Sequence, residues 1–166
     1  ILGSVVRQTM VISAMIFGTI IGASIFSLIF RGLGGDDTIE SILANMPGGE
    51  TGALIFVMML VFVLGFVLDF VEITIILLPI VGPALILLGH DPMWLSVLIA
   101  INLQTSFLTP PFGFSLFYLR GAAPREVSTG AIYRGVVPFI GLQIIGIALI
   151  WIFPELATAL PDLFFG

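Results

Sequence analysis

Apolar side chains run through this chain in long charge-free stretches: Gln8 to Phe30, Thr51 to Leu68, Ile73 to Gly89, Pro92 to Leu119 and Gly135 to Pro154. One spanning helix needs ~20 mostly apolar residues, so the pattern predicts an all-α, polytopic integral membrane protein. The predicted organisation is a transmembrane helix over 1–31 and an external interfacial segment over 32–50. A re-entrant helical hairpin follows over 51–89, with its tip near 68–72, and then a broken transmembrane helix over 92–121, unwound near 105–113. A cytoplasmic linker over 122–134, a last transmembrane helix over 135–154 and an external tail over 155–166 complete the chain.

The hairpin is forced by length. A single helix over 51–89 would be nearly twice the ~30 Å hydrocarbon thickness at ~1.5 Å per residue. Apolar character breaks only in Gly65 to Thr74, whose charges are Asp69 and Glu72. A solvent loop is usually polar or rich in Gly and Pro, whereas Leu68, Asp69, Phe70, Val71 and Glu72 suit a buried tip. A carboxylate at membrane depth costs ~2.5–3.5 kcal/mol on insertion scales and is kept where it meets a cation, a partner or water. Asp69 and Glu72, three apart and followed by the hydroxyl of Thr74, are therefore either part of a cation-attracting tip or two headgroup-level carboxylates.

In Asn102 to Phe114, the stretch NLQTSFLTPPFGF interrupts the next helix with Pro110, Pro111 and Gly113. Each proline lacks the N–H that the carbonyl four residues back requires, which deprives Ser106 and Phe107. Thr109, preceding a proline, is pushed away from the α region. Free carbonyls together with the hydroxyls of Thr105, Ser106 and Thr109 make a set of neutral oxygen ligands beside the amides of Asn102 and Gln104. Irregular backbone of this kind is tolerated in a membrane only where it is buried in protein or lines a cavity. The set suits a desolvated alkali cation and a polar solute. Pro79, Pro83 and Pro138, set among aliphatic residues, read as bends.

Composition sharpens the class. Of 166 residues, 59% are hydrophobic and 9% charged, with mean hydropathy +1.26; soluble domains carry about 25% charged residues. A net charge of −5, with ten carboxylates against five arginines, excludes nucleic-acid binding. Cysteine is absent and histidine occurs once, which leaves no thiolate chemistry and no familiar zinc set. Arginines accumulate on the cytoplasmic side of membrane proteins. Arg7, Arg120, Arg125 and Arg134 therefore lie inside, while Asp36, Asp37, Glu40, Glu50, Glu155 and Asp162 lie outside, with Arg31 the exception. In the external segment Ile39, Ile42, Leu43 and Met46 share one face of a short helix. The first residue is Ile1, and the chain reads as the C-terminal piece of something longer.

A hairpin, a helix broken at Thr-Pro-Pro and one last span resemble the C-terminal half of the large membrane (permease) subunit of TRAP transporters, the tripartite ATP-independent periplasmic family. The likeness is carried by LGFVLDFVEITIILLPIVGPAL, Leu64 to Leu85, and NLQTSFLTPPFGFSLFYLRGAAP, Asn102 to Pro124. It implies one repeat of an inverted-repeat, elevator-type secondary transporter, multi-pass in the bacterial inner (cytoplasmic) membrane. The transported molecule would be a small organic solute, an organic acid, moved with Na⁺ as the coupling ion and with no organic cofactor. The partners implied are a small membrane subunit, a periplasmic solute-binding protein and the lipid bilayer. On this likeness Leu68, Asp69, Thr105, Ser106, Phe107 and Thr109 would bind Na⁺, and Asn102, Gln104, Pro110, Pro111, Glu72 and Thr74 would border the solute.

Three further classes are open to such a chain. A divalent anion/sodium symporter-type permease shares the architecture and a Thr-Pro-Pro. A structural membrane subunit without its own ion site explains the apolar helices but not the polar break. An intramembrane enzyme would need more than Asp69 and Glu72, since the lone His90 stands in a loop with Asp91 and Pro92 and nothing supplies a nucleophile or metal.

Overall fold

The computed structural model describes residues 2–68, 70–110, 114–124 and 126–165. They form helices α1 (Leu2–Gly32), α2 (Gly35–Ala44), α3 (Gly49–Leu64), α4 (Phe70–Leu87), α5 (Pro92–Leu108), α6 (Phe114–Ala122), α7 (Thr129–Ile152) and α8 (Glu155–Phe165). No strand occurs among the described residues. Helices α1, α4 and α7 are long and apolar enough to cross a membrane, and the bent pair α2–α3 would make a fourth crossing if counted as one span. Such a set belongs to a multi-pass membrane protein.

Local chemistry sets the corners. Gly34 and Gly48 take φ of 76° and 95°, a conformation that costs a side chain but not glycine. They allow α1 to turn into α2 and α2 to meet α3 at 117°. Helix α5 starts at Pro92, with the Asp91 carboxylate accepting the Trp94 N–H at 2.8 Å. The start of α7, at Thr129, is capped by the Ser128 hydroxyl, which accepts from Ala131 N–H. This helix therefore begins inside the stretch expected to be linker, and the expected tail is largely the helix α8.

Within α4, Ile73–Leu77 widens into a π turn, and Leu78 N–H reaches back to the Ile73 carbonyl. Consecutive β-branched side chains at Ile73, Thr74, Ile75 and Ile76 crowd the preceding turn, and Pro79 removes the next amide donor. The Thr74 hydroxyl donates to the carbonyls of Phe70 and Val71, at 2.8 and 3.1 Å, inside the wider turn.

The core lies where α2, α3, α4 and α5 meet. Leu54, Val57 and Val61 of α3, Ile73 and Leu85 of α4, and Leu98 of α5 are fully buried there. Leu43 of the segment expected to be external is buried in the same core and Ile39 and Met46 pack against it, whereas Ile42 points away from it. Helix α2 thus docks on protein along most of its apolar face. Trp94 Nε1 donates to the Ile150 carbonyl at 2.7 Å, tying the start of α5 to the end of α7. His90 Nε2 lies 3.2 Å from the Glu50 carbonyl. The start of α3 and the end of α4 therefore meet, and the chain reverses between these helices after Leu64.

Candidate ion and solute site

The reversal between α3 and α4 packs against the last turns of α5. Leu68 N–H donates to the Leu64 carbonyl at 2.8 Å, closing the turn. Gly65 is buried there, and a Cβ on it would lie 2.8 Å from the Ser106 Cβ and overlap the Ser106 hydroxyl. Five residues beyond Gly65 and one beyond Ser106, the rings of Phe70 and Phe107 meet edge to face with centroids 6.0 Å apart. Asp69 lies between these contacts in sequence and outside the described residues, as do Pro111, Gly113 and Arg125.

Helix α5 keeps its conformation through Leu108, so Thr105 to Leu108 are helical rather than unwound. The reason lies in which groups the prolines remove. Residues 105–108 keep their own N–H groups and their bonds to residues 101–104, while the prolines deprive only the carbonyls of the last turn. A helix end tolerates that loss. Irregular backbone begins at Thr109, with φ −85° and ψ 123°, the extended conformation that a following proline imposes. The Ser106 carbonyl is not left free, because it accepts the Thr109 N–H at 3.2 Å.

All three hydroxyls donate to carbonyls of their own helix: Thr105 to Ile101 at 2.7 Å, Ser106 to Leu103 at 2.8 Å and Thr109 to Thr105 at 2.7 Å. Thr105 and Ser106 are buried, at 2% and 0% exposure. Each proton is committed, so the oxygen lone pairs are what these side chains offer outward. That polarity suits a cation and does not suit an anion.

Beside this junction a groove of about 590 Å³ runs between α4 and α5. Phe70, Thr74, Leu78 and Gly82 line one wall, and Ile99, Leu103 and Phe107 the other. Polar groups on it come from Thr74, Ser96 and Gln104. An apolar cleft with a few placed polar groups is the usual form of a site for a small organic molecule. Gln104 also borders a second cavity of about 550 Å³ between α5, α6 and α7, where the buried Oε1 of Gln143 has no hydrogen-bond partner among the described residues.

The residues singled out in the sequence are thus divided. Thr74, Gln104 and Phe107 share the groove, Ser106 and Leu68 belong to the turn junction, and Thr109 and Pro110 mark the end of α5. Glu72 is half-buried on the first turn of α4, next to the π segment. Asn102 faces elsewhere. Its Nδ2 donates to the Met58 carbonyl of α3 at 2.7 Å inside the core, where it fastens two helices instead of bordering the groove. Gly65 and Phe70 also stand at this junction, although neither carries polar chemistry that would mark it in the sequence. No cluster of three or more His, Asp or Glu able to hold a metal occurs among the described residues.

Comparison with known proteins bears on the same segments. Residues 2–156 match the family model described as tripartite ATP-independent periplasmic transporter, DctM component. The ectoine TRAP transporter large permease protein TeaC of Halomonas elongata is 28% identical over 162 residues, which are 98% of this chain and 38% of that protein. The sialic acid TRAP transporter large permease protein SiaM of Vibrio cholerae is 24% identical over the same shares of each. The C4-dicarboxylate TRAP transporter large permease protein DctM of Vibrio cholerae is 30% identical over 127 residues, 76% of this chain and 27% of that protein. The chain thus spans well under half the length of these relatives. No solved structure matches it.

Proposed function

The chain belongs to the DctM component family of tripartite ATP-independent periplasmic transporters, a family of transporter subunits and not of enzymes, and from that premise we propose that it forms the C-terminal part of a Na⁺-coupled permease importing a small organic acid. The observation that carries the proposal is the packing of the α3–α4 turn onto the hydroxyl-bearing end of α5 through Gly65 and Ser106.

The chemistry follows from the lone pairs. Thr105, Ser106 and Thr109 offer neutral oxygens at the carbonyl end of α5, where the helix dipole also favours positive charge. Leu68 adds the backbone of the turn, and Asp69 and Glu72 are carboxylates close by in sequence. Neutral oxygens replace part of the hydration shell of Na⁺ without holding it too tightly for release. The solute would lie in the adjoining groove against Thr74 and Gln104, with Pro110 and Pro111 following Gln104 a few residues on in sequence. No arginine among the described residues lines that groove, and a helix N-terminus would receive a carboxylate in its place. A periplasmic binding protein would deliver the solute to the outer face, and a small membrane subunit would complete the assembly in the bacterial inner membrane. In this reading the α3–α4 pair is a re-entrant hairpin of one half of an elevator-type carrier.

Sodium dependence tests the ion site. Thr105→Val, Ser106→Ala and Thr109→Val, each in the full-length assembled transporter, should include at least one that raises half-saturating Na⁺ roughly tenfold, about 1.4 kcal/mol. A hydroxyl that serves only its own helix in a membrane is worth ~0.6 kcal/mol on average, which would barely move the curve. Three unmoved curves would remove the site from α5.

Re-entrance is tested separately. In lipid, Leu68→Cys should react slowly with a membrane-impermeant thiol reagent applied from either face, compared with Asp36→Cys in the exposed first turn of α2. Equal rates would place the turn in open water.

A further inference from the structure

Arg31 is the arginine that departs from the inside clustering of the others, and the structure gives it an occupation. Its Nη2 donates to the carbonyl of Pro79 at 3.0 Å, 48 residues away on α4. In an α-helix that carbonyl would receive the N–H of residue 83. Residue 83 is a proline inside the helix and has no such group. A carbonyl without a donor in apolar surroundings is costly, and the guanidinium of Arg31 supplies what Pro83 lacks. Asp36 Oδ2 lies 3.5 Å from Arg31 Nε. Both side chains of that pair are about half exposed, at 49% and 50%, so the ion pair steadies the guanidinium more than it holds the helices together.

The junction around Arg31 is closely built. Gly35 abuts the ring of Phe30 so tightly that a Cβ there would collide with it, and Phe30 stacks on Phe26. Arg31 thus leaves α1 from a corner with little freedom. On the other side, Pro79 stands two residues beyond the π turn that carries Thr74 into the groove.

We infer that Arg31 is a positioning residue for α4: its guanidinium replaces the amide proton that Pro83 lacks, takes up the Pro79 carbonyl, and fixes to the end of α1 the segment that bears the π turn and Thr74. Arg31 lines neither the groove nor the turn junction, so it acts through Pro79 and not on ion or solute. A shift of α4 against α1 would open this bond.

The inference has a suppressor built into it. Pro83→Ala returns an N–H to the Pro79 carbonyl, and Arg31 then becomes dispensable. Spin labels at Leu28→Cys on α1 and Leu87→Cys on α4, both exposed positions, report the relative position of the two helices in the full-length subunit, made free of other cysteines. Arg31→Met should broaden and shift the distance distribution, Arg31→Lys should keep it close to the unsubstituted one, and Arg31→Met with Pro83→Ala should return it. If Arg31→Met alone fails to assemble, recovery of assembly in the double variant is the expected suppression. An unchanged distribution in Arg31→Met, or a loss that Pro83→Ala does not reverse, would overturn the inference. Uptake measured on the same variants rests on the Na⁺-coupled reading: distances that respond while uptake proves independent of Na⁺ would sink that reading and leave this one standing.

Discussion

Gly65→Ala should force the α3–α4 turn away from α5 and abolish Na⁺-dependent uptake by the full-length transporter. The backbone of Gly65 is ordinary, with φ −63° and ψ −9°, so alanine meets no conformational penalty there. What it meets is Ser106, whose Cβ would stand 2.8 Å away and whose hydroxyl would overlap the added methyl. Ser106 is fully buried and cannot swing into solvent to make room. Overpacking of this kind costs ~1–3 kcal/mol in a well-packed core, and here the strain falls on the contact that joins the two parts of the proposed site. The second substitution that separates causes is Ser106→Gly, which removes both the Cβ and the hydroxyl. Gly65→Ala with Ser106→Gly should regain the thermal stability lost by Gly65→Ala alone and still show weakened Na⁺ dependence, because the packing is repaired and a ligand is gone. Thermal stability of Gly65→Ala equal to that of the unsubstituted subunit would show that the contact is loose.

Much of the fold was legible because a membrane reduces the problem to length. Charge-free stretches of about one bilayer thickness announced α1, α4 and α7, and the excess length of 51–89 announced a reversal. The break after α5 was legible for a local reason, since a proline restricts the residue before it wherever it occurs. Its starting point was less so: the missing amides cost residues 105–108 no bond of their own, and the irregular backbone starts at Thr109. The contacts that decide the site join residues far apart in sequence. Gly65 looks like any glycine in an apolar run until Ser106 stands over it. Asn102 reads as a solute ligand by type, and only the packing of α5 on α3 shows its amide spent on the Met58 carbonyl. Arg31 was visible as an exception in the charge pattern, while the proline that explains it lies on another helix.

Pro110→Ala combined with Pro111→Ala should fuse α5 and α6 into one helix and remove Na⁺ coupling while the subunit is still made and inserted. Proline in a helix interior costs ~3 kcal/mol relative to alanine, so the pair maintains the break with roughly twice that. With both removed, Thr109 is released from the extended conformation it now holds and the carbonyl of Ser106 can take a donor four residues on. Each residue added to a helix in apolar surroundings gains a bond that water does not replace, so the helix should propagate toward Phe114. The single substitutions should behave differently from the double. Pro110→Ala alone leaves Pro111, which still lacks an N–H and still restricts the residue before it. Pro111→Ala alone leaves Thr109 confined by Pro110. Either single variant therefore keeps an interruption and part of the Na⁺-dependent uptake, whereas the double variant should lose it by far more than the two losses combined. Additive losses, or a double variant with the Na⁺ curve in its original place, would mean that the break is a bend in a scaffold and that the oxygens of Thr105, Ser106 and Thr109 serve only their own helix.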